Sequence, residues 1–183
     1  AEVAKYLGLD LNEIKMVSCH LGSGSSITAI KNGKAVDTSF GFTPQDGVPM
    51  GTRCGAIDPA VVPFVMEAEG ISAADMGNWM NKKCGLLGVS GVSSDLRDVK
   101  KVMKGEDPNN MDKVERARLA FDILVYGIKK YVGSYTAAMN GLDAVVFTAG
   151  IGENDPDIRY ETMKDMEFFG IEVDKDKCYN LKS

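Results

Sequence analysis

"IKMVSCHLGSGSSITAIKNGKAVDTSF" (14–40) is the stretch whose reading decides the fold. Its opening, "IKMVSCHL" (14–21), is an apolar, β-branched run that stops at Gly22, and "SSITAI" (25–30) alternates polar with apolar. Asn32-Gly33 is a strong signal for a two-residue hairpin, whose central positions both need a positive φ. "KAVDTSF" (34–40) then supplies a third strand. Short strands joined by tight turns predict an antiparallel meander.

The turn between the first two strands, "CHLGSGSS" (19–26), holds the only histidine of the chain. It has two readings, a plain hairpin turn or a loop whose backbone N–H groups hold phosphate. Glycines at 22 and 24 permit φ > 0, so successive N–H groups can point into one concavity that suits an anion. His20 and the hydroxyls of Ser23, Ser25 and Ser26 would add donors. The spacing matches neither the P-loop nor the dinucleotide fingerprint, and both readings stay open.

Beyond the meander, "GFTPQDGVPMGTRCGAIDP" (41–59) is too dense in glycine and proline for a regular element, and a long loop in a compact domain is usually functional. Asp58-Pro59 leads into a helix that Pro63 should kink or delay, to about residues 63–68. Ser72, with Asp75 three residues on, caps a second helix, and Ser94 caps a third, "DLRDVKKVMK" (95–104). The clearest helix is 111–139, where Val114, Ala117, Phe121, Leu124, Val125, Ile128, Val132, Tyr135 and Met139 recur at three- and four-residue steps. "AVVF" (144–147) reads as a buried strand ending in the glycine-rich "TAGIGEN" (148–154), and Asp155-Pro156 starts a last helix running to about Phe169. A buried strand entered from a long helix, beside a meander, is an α/β layout with a mixed sheet.

Composition narrows the function. The chain has 183 residues, enough for one full domain. A net charge of −5, with the basic residues dispersed, excludes a nucleic-acid surface but not a phosphorylated small molecule. There is neither an apolar run long enough for a membrane span nor a signal-peptide layout at the start. Cys19, Cys54, Cys84 and Cys178 fit no zinc spacing and read as reduced cytosolic thiols, so the expected compartment is the cytoplasm. The first residues read like a helix caught partway, which points to a fragment.

Three further segments carry candidate chemistry. Arg53, in "PMGTRCG" (49–55), is either a solvated surface charge or a planar cationic fork aimed at a phosphoryl group. Asp95 and Arg97 share the first turn of a helix, either as a capping ion pair or as ligand contacts. Gly150 to Asn154 lie beyond the carboxyl end of a strand, where α/β sheets usually place ligands.

Taken together, "HLGSGSSITAIKNGKAVDTSFGFTPQDGVPMGTRCGAIDP", "GLLGVSGVSSDLRD" and "MNGLDAVVFTAGIGEN" resemble the C-terminal domain of the acetate, propionate and butyrate kinases. The match runs from about Ile14 to Phe169, and "DTSFGFTP" with "MGTRCGAIDP" is its most specific part. The resemblance implies an actin-like ATPase (ribonuclease H-like) α/β domain with a βββαβα core. It implies transfer between ATP and acetate to give ADP and acetyl phosphate, with Mg²⁺. It assigns His20, Leu21, Gly22, Ser23 and Gly24 to the nucleotide phosphates, with His20 a phosphate-side hydrogen bond. Asp95, Leu96 and Arg97 fall at the adenosine, and Gly150, Ile151, Gly152, Glu153 and Asn154 form a second nucleotide loop. Arg53 matches the transition-state arginine.

It further implies a homodimer through this domain, and it places the acid pocket and the Mg²⁺ ligands mainly in parts of such enzymes not represented here. The whole chain, 1–183, is then one nucleotide-binding domain of a two-domain kinase, inactive alone, with residues 1–13 and 175–183 poorly ordered. Ser23 departs from the family's usual asparagine. A propionate or butyrate kinase, or a non-catalytic nucleotide-binding module on the same fold, are the alternatives.

Overall fold

The computed structural model describes residues 1–180. Helix α1 (Glu2–Leu7) precedes strands β1 (Lys15–Leu21), β2 (Ser25–Lys31) and β3 (Lys34–Thr38). Helices α2 (Val61–Glu69), α3 (Ala73–Lys82), α4 (Gly85–Ser90), α5 (Leu96–Met103) and α6 (Val114–Met139) follow. Strand β4 (Ala144–Thr148) leads to α7 (Ala149–Asn154), α8 (Pro156–Met163) and α9 (Lys175–Asn180). These residues form two compact units, one of residues 1–40 with 125–180 and the other of residues 41–124.

In the first unit the sheet order is β3-β2-β1-β4. β1 pairs antiparallel with β2, from Lys15↔Lys31 to Leu21↔Ser25, and parallel with β4, from Met16↔Ala144 to His20↔Thr148. The sheet is mixed, as the sequence implied, and the carboxyl ends of β1 and β4 lie side by side. The period-2 alternation buries Val17, Cys19 and Leu21 of β1 with Ile27 and Ala29 of β2, and leaves His20 exposed. Ile128, Val132, Tyr135 and Met139 of α6 and Ile158 of α8 are buried in the same unit. Each fully buried aliphatic of this size is worth about 1.5–3 kcal/mol.

Local chemistry sets the register. Asn32 and Gly33 have φ of 56° and 75°, as the hairpin requires. The Lys15 amide donates to Asp143 Oδ2 at 2.7 Å, the Asp143 amide returns a bond to the Lys15 carbonyl at 2.8 Å, and Lys15 Nζ donates to the Asn140 carbonyl at 2.7 Å. That clamp fixes where β4 starts against β1. β3 stops at Thr38 rather than Phe40, because the Ser39 hydroxyl accepts the Ile27 amide at 2.9 Å in place of a ladder carbonyl.

The last helix ends at Met163, not Phe169: Lys164 leaves the helical region, Asp165 has φ 57°, and Glu167–Phe169 form a separate 3-10 turn. Residues 2–7 and 175–180 are helical rather than poorly ordered, because both find partners within the unit. Ala4 is buried, Arg159 Nη2 donates to the Cys178 carbonyl at 2.9 Å, and the Tyr179 hydroxyl donates to Asp157 Oδ1 at 2.6 Å. The same expectation for residues 181–183 lies outside the described residues.

In the second unit α2 starts at Val61, two residues before the proline expected to delay it. Pro63 sits in the first turn, where N–H groups have no intrahelical acceptor, so its missing donor costs nothing. Ser72 caps α3 as expected, accepting the Asp75 amide at 3.2 Å and donating to Asp75 Oδ2 at 2.6 Å. The cap of α5 is Asp95 rather than Ser94; Asp95 Oδ1 accepts the Arg97 amide at 2.8 Å. A 3-10 turn over Pro108–Lys113 precedes α6, so that helix begins at Val114 rather than 111.

Helix α4 was not anticipated. Gly85 enters it at φ 58°, with its α-carbon packed against the Met50 and Arg53 carbonyls. The Leu86 and Leu87 amides donate to the carbonyls of Met50 and Gly51 at 2.9 and 3.0 Å. Its far end is held by Arg116, which donates to the carbonyls of Val89 and Gly88 at 2.9 and 3.0 Å.

Candidate nucleotide site

Strand β1 ends in His20 and Leu21, and the turn over 22–24 returns the chain into β2. Neither Gly22 nor Gly24 has a positive φ, which corrects the reason given for glycine at these positions. The Gly22 amide donates to the Gly24 carbonyl at 3.2 Å, and Ser25 Oγ donates to the Gly22 carbonyl at 3.3 Å, so the turn closes on itself. A Cβ at Gly22 would stand 3.5 Å from Ala149 Cβ, an ordinary contact. Glycine here leaves a bare backbone edge rather than meeting a steric demand.

"TAGIGEN" is not an open loop. Ala149 to Asn154 form a six-residue helix, entered through Ala149 at φ 65°. The side chains of Glu153 and Asn154 serve that helix: Glu153 Oε1 accepts the Ala149 amide at 3.0 Å, and Asn154 Nδ2 donates to the Gly150 carbonyl at 2.9 Å. Arg159 closes the far end, donating to the Gly152 and Glu153 carbonyls at 3.0 and 2.6 Å. Nothing lies within 4 Å of where a Gly150 Cβ would be, whereas one at Gly152 would crowd the Phe147 carbonyl carbon at 3.3 Å. Gly152 thus lets α7 fold back closely on the end of β4, and Gly150 leaves its outer surface uncovered.

Two of the predicted segments therefore meet although they are far apart in sequence. The turn at 20–24 and the helix at 150–154 share the carboxyl ends of β1 and β4, where Gly22 faces Ala149 and His20 Nδ1 lies 3.1 Å from Thr148 Oγ1. Thr148 is a site residue that sequence reasoning missed. Leu21 is buried in the core and offers the site only its backbone. Ile151 is partly exposed and Ser23 exposed.

The other two predicted segments come together in the second unit. A Cβ at Gly51 would meet the Ser94 carbonyl at 2.7 Å, so the Arg53 loop runs directly against the start of α5. Arg53 Nη1 donates to the Pro44 carbonyl at 3.0 Å and lies 3.6 Å from Met50 Sδ, and no carboxylate is among its described partners. Arg97 is engaged differently, bonding Asp95 Oδ2 through Nη2 at 2.6 Å and Asp95 Oδ1 through Nε at 3.0 Å. The side-chain and backbone hydrogen bonds from Arg97 hold the Asp95 carboxyl below its usual range. The ion pair is exposed and adds little to stability. Leu96 is buried.

The thiols near Arg53 are held in their protonated form at neutral pH. Burial pushes the Cys54 thiol up, and burial with the neighbouring Cys54 pushes Cys84 up to about 11. Among the described residues no three His, Cys, Asp or Glu side chains gather as metal ligands, so they form no divalent-cation cage of their own. No described helix is long and apolar enough to cross a membrane.

The model of the acetokinase family matches residues 1–183. The chain belongs to that family. It is 55% identical over 175 residues to an acetate kinase from Acetivibrio thermocellus and 53% identical over 175 residues to one from Moorella thermoacetica. Each alignment covers 95% of this chain and 42% of the relative, so the chain spans less than half the length of these family members. The crystal structure of Porphyromonas gingivalis acetate kinase superposes with a TM-score of 0.92 at 48% identity, over 100% of this chain and 44% of that one. A propionate kinase from Francisella tularensis matches with a TM-score of 0.86 at 38% identity, over 98% of this chain and 44% of that one. The acetokinase chain accordingly has the α/β, actin-like ATPase fold expected from its sequence, here with a four-stranded mixed sheet.

Proposed function

We propose that this chain is the nucleotide-binding domain of a two-domain phosphotransferase that catalyses ATP + acetate ⇌ ADP + acetyl phosphate. The observation that carries the reading is the meeting of the His20 turn with α7 at the carboxyl ends of β1 and β4. That is the position where α/β sheets bind ligands. The backbone from His20 to Gly24 and the uncovered surface at Gly150 face the phosphates, and His20 donates one hydrogen bond to them. Asp95, Leu96 and Arg97 take the adenosine, with Leu96 contributing only backbone.

Arg53 stabilises the transferring phosphoryl group. In phosphoryl transfer the protein chiefly positions the reactants and neutralises charge on the equatorial oxygens, which suits a guanidinium that no carboxylate already occupies. A non-catalytic nucleotide module would have no use for such an arginine. Mg²⁺ enters with the nucleotide, and its protein ligands are expected mainly in parts of such enzymes not represented in this chain. The kinase is cytoplasmic and a homodimer. A preference for propionate or butyrate is the second reading; the 38% identity to a propionate kinase is lower than the 50–55% to the acetate kinases of Caldicellulosiruptor saccharolyticus and Acetivibrio thermocellus.

The test is transfer from ATP to acetate, propionate and butyrate by the full-length protein, with the acyl phosphate trapped as its hydroxamate. The highest kcat/KM is expected with acetate, and no turnover with any of the three acids would sink the reading. Residues 1–183 alone are expected to be silent, because alignment of both reactants supplies much of the rate.

A further inference from the structure

We propose that Thr148 is a positioning residue that holds the His20 imidazole with its Nε2–H turned outward as a hydrogen-bond donor. Thr148 stands at the N-cap of α7 with extended backbone, φ −136° and ψ 171°. Threonine at that position normally accepts an amide from the first turn. Here it caps neither the Gly150 nor the Ile151 amide, while the first amide of the helix, Ala149, donates to Glu153 Oε1 at 3.0 Å. The threonine hydroxyl is thereby left for His20, its partner across the parallel β1–β4 ladder, at 3.1 Å from Nδ1.

The 3.1 Å separation fits either direction of the bond, because the pair is exposed and water can take the hydroxyl hydrogen. A neutral ring that offers Nε2–H to an anion must leave Nδ1 as the acceptor, and the Thr148 hydroxyl then donates to it. The bond at Nδ1 favours one orientation of the ring. The Nδ1–Thr148 contact stands on the geometry alone, whereas the tautomer and the anionic oxygen it serves rest on the nucleotide reading above.

Because His20 is the only histidine, ¹⁵N-histidine labelling of the 183-residue chain gives one imidazole signal pair, readable without assignment. With the ring neutral, the expected spectrum has Nδ1 as the unprotonated nitrogen. Thr148→Val should draw the two nitrogen shifts toward each other, and Thr148→Ser should restore them. ADP should move the Nε2 signal, with an affinity about two- to tenfold weaker in Thr148→Val, the usual cost of ordering one extra side chain on binding. A protonated Nδ1 in the unsubstituted chain overturns the proposal, and that spectrum decides even where the valine variant fails to fold. Unchanged shifts and affinity in a folded valine variant overturn it too. A fixed Nε2–H tautomer with no response to ADP supports the positioning role and counts against the nucleotide reading instead.

Discussion

Of the two arginines predicted for the site, Arg97 is neutralised by Asp95, whereas Arg53 has no carboxylate partner among the described residues. Arg53→Ala in the full-length kinase should lower kcat by about 10³–10⁵ while leaving the ATP dissociation constant nearly unchanged, as initial rates and equilibrium binding would show. Unchanged turnover would remove the assignment. The thiols give a second residue-scale expectation. Cys19 is buried and its thiol is pushed up to about 12 by that burial. In the native chain at neutral pH it should resist iodoacetamide, and it should react in urea; mass spectrometry of the alkylated peptides reads this directly. What sequence could not show at this scale was Thr148, whose partner lies 128 residues away and enters only through the β1–β4 pairing. Arg53 could be named as a candidate because its glycine-flanked setting is local.

The two glycine-rich helices, α4 and α7, are built on one plan. Each is six residues long, is entered by a residue with positive φ, and is closed by an arginine from a later helix. Glycine content made α7 look like a loop and α4 went unread, because six residues are too few to show a helical period and their stability comes from carbonyl and arginine partners elsewhere. The strand meander, by contrast, was legible from alternation and Asn32-Gly33, and α6 from its apolar stripe. Gly85→Ala should destabilise by at least about 2 kcal/mol in urea unfolding, since it adds left-handed strain to a clash with the Met50 carbonyl. Asp155→Ala should cost about 1 kcal/mol, because Asp155 Oδ1 accepts the Asp157 and Ile158 amides at the start of α8. For Asp95 the sign is that of a carboxyl lowered on folding. Its contribution is complete above the ordinary carboxylate range and is lost as pH falls through the depressed value. Asp95→Asn should therefore flatten part of the acid limb of a stability-against-pH curve.

At the scale of the whole molecule, the first unit is discontinuous: residues 41–124 fall between the meander and the strand that completes its sheet. During synthesis β1 can pair with β2 once residues 15–31 have emerged, but its other edge waits for β4. At the usual pace of synthesis that wait lasts roughly ten seconds. Through it the nascent meander shows an open, unpaired β1 edge, the kind of surface that pairs wrongly with other chains. Refolding from denaturant has no such vectorial order, and its slow step should be closure of the β1–β4 ladder across the intervening residues. Birth on the ribosome thus leaves one edge of β1 open for as long as residues 41–124 take to emerge, and that interval is when the chain is most exposed to wrong partners.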